Sequence, residues 1–510
     1  MSQASSYGIL RLSKTIGDKT MLYLGIDVGT AGCKATALDV DGNIRSYAYK
    51  DYKAVRTSEG YAEIDPDAVW QTVKHVIARA AAEAGEPVKA VAIASFGETF
   101  VAVDKDDRVL RNGILYADVR GSEEISDIRE RFEDQEIYDV TGMPVNAMFT
   151  LNKLIWVKKH EPRLFERIDK LFLFEDYLYY KLSGVRCIDY SLASRTMFFD
   201  FAKYGWAERV LSAFGLSASM LSKPVMPGSV IGQISDGLVS ELGLSRGVLL
   251  VAGGHDQICA ALGAGVLKTG ECVDGIGTSE CITTVLGGLG QKQFMRASNF
   301  CIEPYAARDK YVTLAFSTTG ASILGWFCEA FAKEADRQSV FRVMESECPQ
   351  GPTDLFVLPH FAGSGTPHMD PFSTGAVLGL RLSTARGDVY KACMEGICFE
   401  MLQNAQLLKS MGTSITSMTC VGGGTKSEML LQIKSDIMGI PVHRLRSKES
   451  GTTALAMLCA VACRDFTNLE EAAKSMVKID KTFTPNEQYH QVYQERFSIY
   501  KNIYSSIVSL

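Results

Sequence analysis

GIDVGT at 25–30 and DGIGTSE at 274–280 decide how this chain is read. In each, an apolar run enters a turn carrying Gly-Thr and another leaves it: 22–26 then 33–38 in the first copy, 271–273 then 281–286 in the second. Glycine admits positive φ and puts no side chain between backbone N–H groups and a phosphate oxygen, and the threonine hydroxyls add donors. Thr30 and Thr278 are 248 positions apart, too far for a short-repeat array. The pattern predicts two duplicated domains, each offering a hairpin turn, able to clamp a nucleotide between them.

The elements after each hairpin repeat as well. After the first, 43–53 alternates like a third strand, Asp65 and Pro66 open an amphipathic helix running to Ala84, and 88–95 is an almost wholly apolar run, the pattern of a strand buried on both faces. After the second come a strand near 310–316, a helix over 320–335 and a buried strand at 417–421. This is an α/β order, written twice. Between the copies, 122–245 reads as a helix-rich insertion, and its aromatic stripe LFLFEDYLYYKL at 171–182 reads as core. The junction falls near 251–265, and the chain from Pro485 onward reads as a closing helix.

At 510 residues the chain exceeds what one core supports. Its net charge of -6 comes with scattered lysines and arginines, which argues against nucleic acid or an anionic membrane as partner and for a small molecule. Thirteen cysteines without a CxxC pair point to neither a disulfide framework nor a zinc knuckle, and Cys459 and Cys463 read as small buried hydrophobes. Residues 1–20 lack a continuous apolar core and a cleavage site, so they read as a loosely ordered extension of a cytoplasmic protein. No apolar run reaches the ~20 residues of a membrane span.

Ten strings in order resemble the FGGY carbohydrate kinases, from residue 21 to the final helix. They are GIDVGT at 25–30, TGMPVN with KLIW at 153–156, FEDYLYYKLSG at 174–184, ASRTMFFD at 193–200, GGHDQ at 253–257, GIGTSE at 275–280, TTGASILGW at 318–326, GSGTPHMDP at 363–371, EGICFE at 395–400 and VGGGTKSE at 421–428. The resemblance implies two actin-like, ribonuclease H-like domains, 21–257 binding the sugar and 258–510 binding the nucleotide. They would close over ATP and a sugar or polyol and transfer the γ-phosphoryl group to a hydroxyl.

Asp256 in GGHDQ matches the family's general base, since phosphoryl transfer needs an oriented hydroxyl whose proton has a destination. Without the resemblance, an Asp capping the helix that starts near Gln257 explains it too. Asp27 can hold Mg²⁺, directly or through water, or stabilise its turn as an Asx residue. Gly29, Thr30, Lys34, Gly277 and Thr278 line the expected phosphate clamp, although a single lysine on a strand is also an ordinary solvated residue. Gly422, Gly423, Gly424 and Thr425 end a strand before a helix, where the resemblance puts the adenosine, and Gly320 matches another nucleotide contact. No GxxxxGK[ST] occurs, which excludes a P-loop kinase at the level of motifs.

For the acceptor, Glu98, Asp118, Arg120 and Gln257 stand at strand ends, where open α/β sheets bind ligands; loop salt bridges are the competing explanation for the first three. Glycerol kinases carry an Arg before the Glu where this chain has Gly97, and a Tyr where it has Met148, and the Gln-Met-His run of xylulose kinases is missing. Gly97 is expected to remove a cationic donor and open space beside Glu98. A ketose is the expected substrate, with a polyol as alternative. His255 is given only a contact or packing role. An actin-like ATPase would share the hairpins without needing GGHDQ and SFGETF, and a non-catalytic sugar sensor would not need Asp27 and Asp256. A homodimer is the default expectation for such a chain.

Overall fold

The computed structural model describes residues 21–333, 336 and 339–508, so the expected N-terminal extension lies outside the described residues. The first hairpin is β1 (Leu22–Val28) and β2 (Gly32–Leu38), followed by β3 (Ile44–Asp51) and β4 (Val88–Ser95). With β5 (Val230–Gln233) and β6 (Leu249–His255) they form a six-stranded sheet in the order β3-β2-β1-β4-β6-β5. Along that order the pairings are antiparallel, antiparallel, parallel, parallel, antiparallel.

The second hairpin is β7 (Glu271–Ile276) and β8 (Glu280–Val285), followed by β9 (Glu303–Pro304), β10 (Tyr311–Ser317), β11 (Ser417–Val421), β12 (Val442–Leu445) and β13 (Ile479–Phe483). The order β10-β8-β7-β11-β12-β13 carries the same succession of antiparallel and parallel pairings as the first sheet. The duplication seen in the hairpins therefore extends to whole sheets. The second has one extra edge strand, β9, beside β10.

Local chemistry sets the helices. In α1 (Pro66–Glu83) the Asp65 carboxylate accepts from Asp67 N, Pro66 supplies a helical φ, and Val69, Val73, Val76, Ile77 and Ala80 form the buried stripe. The inserted region contributes α2 (Thr150–His160), α3 (Phe174–Ser183) and α4 (Tyr190–Ser194). The aromatic stripe is core, as expected: Phe172, Phe174, Tyr177 and Tyr179 are buried. Tyr179 also serves as a tie, its hydroxyl accepting from Ile93 N on β4 and donating to Val251 O on β6.

At the junction, α5 (Asp256–Gly263) leaves β6 directly and touches strands of both sheets. The second half adds α6 (Ser322–Phe331), the long α7 (Arg386–Ser410), α8 (Glu428–Met438), α9 (Ser450–Ala462) and, as the closing helix, α10 (Glu487–Tyr500). Although α9 belongs to the second half in sequence, it packs on β1, β4 and β6 of the first, so Tyr23, Ala92, Val251, Ala454 and Leu458 share one core. Its run of Gly, Thr, Ala and Cys is what permits that approach, and Cys459 is fully buried in it. Among the described residues no helix is long and apolar enough to cross a membrane.

Candidate active site

A cavity of about 530 Å³ opens between the two sheets. The first half contributes Gly29 and Thr30 of the β1–β2 turn, Phe96, Gly97 and Glu98 after β4, Arg195 after α4, and His255, Asp256 and Gln257 at the β6–α5 junction. The second half contributes Ser279 and Cys281 of the β7–β8 hairpin, Asn299, Leu314, Phe316 and Thr318. Apolar Phe96, Phe149, Leu314 and Phe316 share the lining with charged Glu98, Arg195 and Asp256. Met148 lines the cavity at the position where the resemblance led one to look for a Tyr.

Asp256 lines the cavity in the first turn of α5, where helix N–H groups favour negative charge. Its Oδ1 accepts from Gln257 N at 2.6 Å and lies 3.3 Å from His255 Nε2. Burial raises its carboxyl to about 6; Asp27 and Glu98 push the same way, while His255 and the Gln257 N–H oppose. That value suits a group that must accept a proton near neutral pH. Burial would lower His255, but the Asp256 and Glu303 carboxylates outweigh it and hold the imidazole above its ordinary value.

Glu98 takes a left-handed backbone, φ 61°, unusual for a residue with a side chain and a feature that recurs at functional sites. Thr150 Oγ1 on α2 holds the strained turn by donating to Glu98 O at 2.6 Å. The Glu98 carboxylate receives Arg195 Nε at 2.6 Å and Arg195 Nη2, and Arg195 Nη1 reaches Glu303 Oε1 on β9 at 2.7 Å. Sequence reasoning missed both Arg195 and Glu303. Arg195 stood inside ASRTMFFD, so a signal existed; Glu303 lay in no quoted string, and only the folding of β9 against α4 brings it in.

The structure corrects two readings of the acceptor side. Asp118 and Arg120 do not line the cavity: the Arg120 guanidinium donates to both Asp118 oxygens and to Glu63, and stacks 4.2 Å from the Tyr61 ring. The buried Lys153 of KLIW donates to Asp118 O and Arg120 O, fixing this loop from below. The pair supports the turn that carries Tyr116 into the cavity. Nor does Gly97 open space beside Glu98. A Cβ there would stand 3.0 Å from Arg195 Cγ, so the guanidinium expected to be lost is supplied from another element.

The expected phosphate residues come from both halves of the cleft. Gly29, Thr30 and Ser279 line the cavity. Behind them Gly320 N donates to Thr278 O and Ala321 N to Gly277 O, which sets the start of α6 against the second turn; a Cβ at Gly320 would lie 2.6 Å from Ser279 backbone atoms. Gly423, Gly424 and Thr425 form a short 3₁₀ turn after β11, packed on Ile276 of β7. Lys34 is outside the cavity lining: its Nζ is 3.1 Å from Asp27 Oδ2 and 2.9 Å from Glu449 Oε2, an ion pair between β2 and the segment before α9.

The matched sheets and the cavity between them define a two-domain fold of the actin-like, ribonuclease H-like class. Residues 22–263 match the N-terminal domain, and 275–463 the C-terminal domain, of the FGGY family of carbohydrate kinases. The chain belongs to that family and is a carbohydrate kinase. It is similar to a xylulose kinase of Staphylococcus epidermidis, 29% identical over 96% of this chain and 97% of that protein, and to a xylulose kinase of Bacillus subtilis, 29% identical over 94% and 96%. Its fold matches a gluconate kinase from Lactobacillus acidophilus with a TM-score of 0.88 at 24% identity, covering 96% of this chain and 98% of that one.

Proposed function

We propose that this kinase transfers the γ-phosphoryl group of ATP to a hydroxyl of a small ketose, with Asp256 as the general base. The observation that supports this most is Asp256 itself: a carboxyl raised to about 6 in a cavity also lined by the Gly29–Thr30 turn and Ser279. Such a carboxylate orients the acceptor hydroxyl and takes its proton as the new P–O bond forms and the bond to ADP breaks. The xylulose kinases it resembles favour a ketose.

In this reading Thr30 and Thr278 offer amide and hydroxyl donors to the phosphates, while the Gly29 and Gly277 amides close their own turns on Gly32 O and Ser279 O, and Gly320, Gly423, Gly424 and Thr425 hold the rest of the nucleotide. Glu98 and Gln257 bind acceptor hydroxyls. Asp27, with 20% of its side chain open, fits Mg²⁺ carried on nucleotide phosphates, an ion that takes one or two carboxylates and keeps its waters. The ion would neutralise charge on the transferring group. Lys34, between Asp27 and Glu449, positions that carboxylate. ATP as donor assigns the reaction to the cytoplasm.

The test is an ADP-release screen over pentuloses, hexuloses, the matching polyols and glycerol. A ketose giving the highest kcat/KM supports the reading; steady ATP hydrolysis that no sugar stimulates overturns it.

A further inference from the structure

Arg195 and His255 are the basic side chains that line the cavity, and each already faces carboxylates. Three of the five N–H groups of Arg195 are engaged, two with Glu98 and one with Glu303. One face of the guanidinium lies 5.0 Å from the centre of the Phe149 ring. Glu303 is fully buried and also accepts from the Cys301 thiol at 3.3 Å. His255 stands between Asp256 Oδ1 at 3.3 Å and Glu303 Oε2 at 3.7 Å. Three carboxylates, Glu98, Glu303 and Asp256, thus surround one guanidinium and one imidazole, before Asp27 is counted.

We propose that the Glu98–Arg195–Glu303 triad is the specificity-determining element of the acceptor site and selects uncharged polyhydroxy acceptors against aldonates. The inference rests on the sugar-kinase reading above and deepens it, because the fold is shared with a gluconate kinase and does not by itself decide the charge of the acceptor. A neutral sugar meets Glu98 as hydroxyl acceptor and the two remaining Arg195 N–H groups as donors. An aldonate carboxylate meets the same two N–H groups on a guanidinium whose charge is already offset by Glu98 and Glu303, and binds against an excess of negative charge in a site partly shielded from water. Burial would raise the Glu303 carboxyl, but Arg195 and His255 overcome it and hold it at about 2, so its charge persists throughout the working range.

Glu303 enters from the second sheet, whereas Glu98, Arg195 and His255 belong to the first half. Charge selection is therefore complete only when the two halves are together.

The experiment compares D-xylulose with D-gluconate as acceptors for the full chain, in wild type, Glu303→Gln and Glu303→Asp. Wild type is expected to show kcat/KM at least 100-fold lower for gluconate. Glu303→Gln, which removes one of the two negative charges that offset Arg195, is expected to raise the gluconate-to-xylulose ratio at least 10-fold, and Glu303→Asp, which keeps the charge, to preserve the wild-type ratio. A generic structural defect would lower both substrates together and leave the ratio unmoved. That outcome, or gluconate used as well as xylulose by wild type, overturns the inference while leaving the kinase reading intact. Failure of every sugar to be phosphorylated sinks the kinase reading instead. Calorimetric titration of the nucleotide-loaded wild type with the two ligands reads the same preference without turnover, and does not depend on Glu303→Gln folding; equal affinities there overturn the inference.

Discussion

Arg195 occupies the space that a side chain at residue 97 would need: its Cγ and Cβ lie 3.0 and 3.2 Å from the position of a Cβ on Gly97. The glycine and the arginine are 98 positions apart in sequence and form one unit in space, because the turn after β4 must stay bare for the guanidinium to reach Glu98.

Gly97→Ala therefore tests the unit. Arg195 and His255 would have to shift by a few tenths of an ångström, loosening the Glu98 pair. We expect KM for the sugar to rise about ten-fold, near 1.4 kcal/mol, with nucleotide affinity unchanged. Steady-state kinetics and nucleotide titration check it, and an unaltered KM would show that the contact is slack.

Asp256→Asn keeps the shape and removes the base. Turnover should fall by roughly 10²–10⁴, the usual contribution of a general base, while ATP binding persists because the turn residues lie elsewhere. Near-normal turnover would remove Asp256 from the mechanism.

The pH dependence follows from the carboxyl raised to about 6. The base form is lost as pH falls through that value, so kcat/KM should decline below about pH 6 rather than near 4. His255 lowers this carboxyl, so His255→Gln should move the acid limb upward. An acid limb that stays in place, or moves down, would contradict the arrangement. The sign for stability is opposite: a carboxyl raised in the folded state binds its proton more tightly there, so this group destabilises at neutral pH, and the effect fades as pH falls through 6 towards 4.

Behind the second hairpin, Lys434 on α8 lies wholly buried between Asp274, 2.5 Å away, and Glu280. Burial alone would lower its pKa, but the two carboxylates hold it well above the ordinary lysine value. Lys434→Met leaves two buried carboxylates without a counter-charge. The expected loss is about 3–5 kcal/mol, read as a drop in melting temperature. Because Glu280 follows Gly277, Thr278 and Ser279, weaker nucleotide binding should accompany it; full nucleotide affinity in a destabilised variant would separate the triad from the turn.

Much of the fold was legible in the sequence because its signals are local. Val88–Ser95 is apolar at nearly every position since both its faces are covered, and Asp65-Pro66 marks a helix start through one hydrogen bond and one fixed dihedral. The position of Asp256 was legible by the same token, where a strand runs straight into a helix, and its proposed role as base came from the family resemblance. The acceptor side was less so. Asp118 and Arg120 have the residue types of a binding pair, and nothing in one dimension tells that Glu63, Tyr61 and Lys153 have already claimed them.

The sequence by itself determined the duplicated α/β architecture, the two glycine turns and the place of Asp256, because hydrophobic period, capping and turn chemistry act over a few residues. Only the tertiary structure decided which charges face the cavity. Arg195 reaches Glu98 across 97 positions and Glu303 across 108, and the pairing exists because α4 of the first half packs against β9 of the second. Charge compensation depends on distance and burial, quantities that spacing along a chain does not carry.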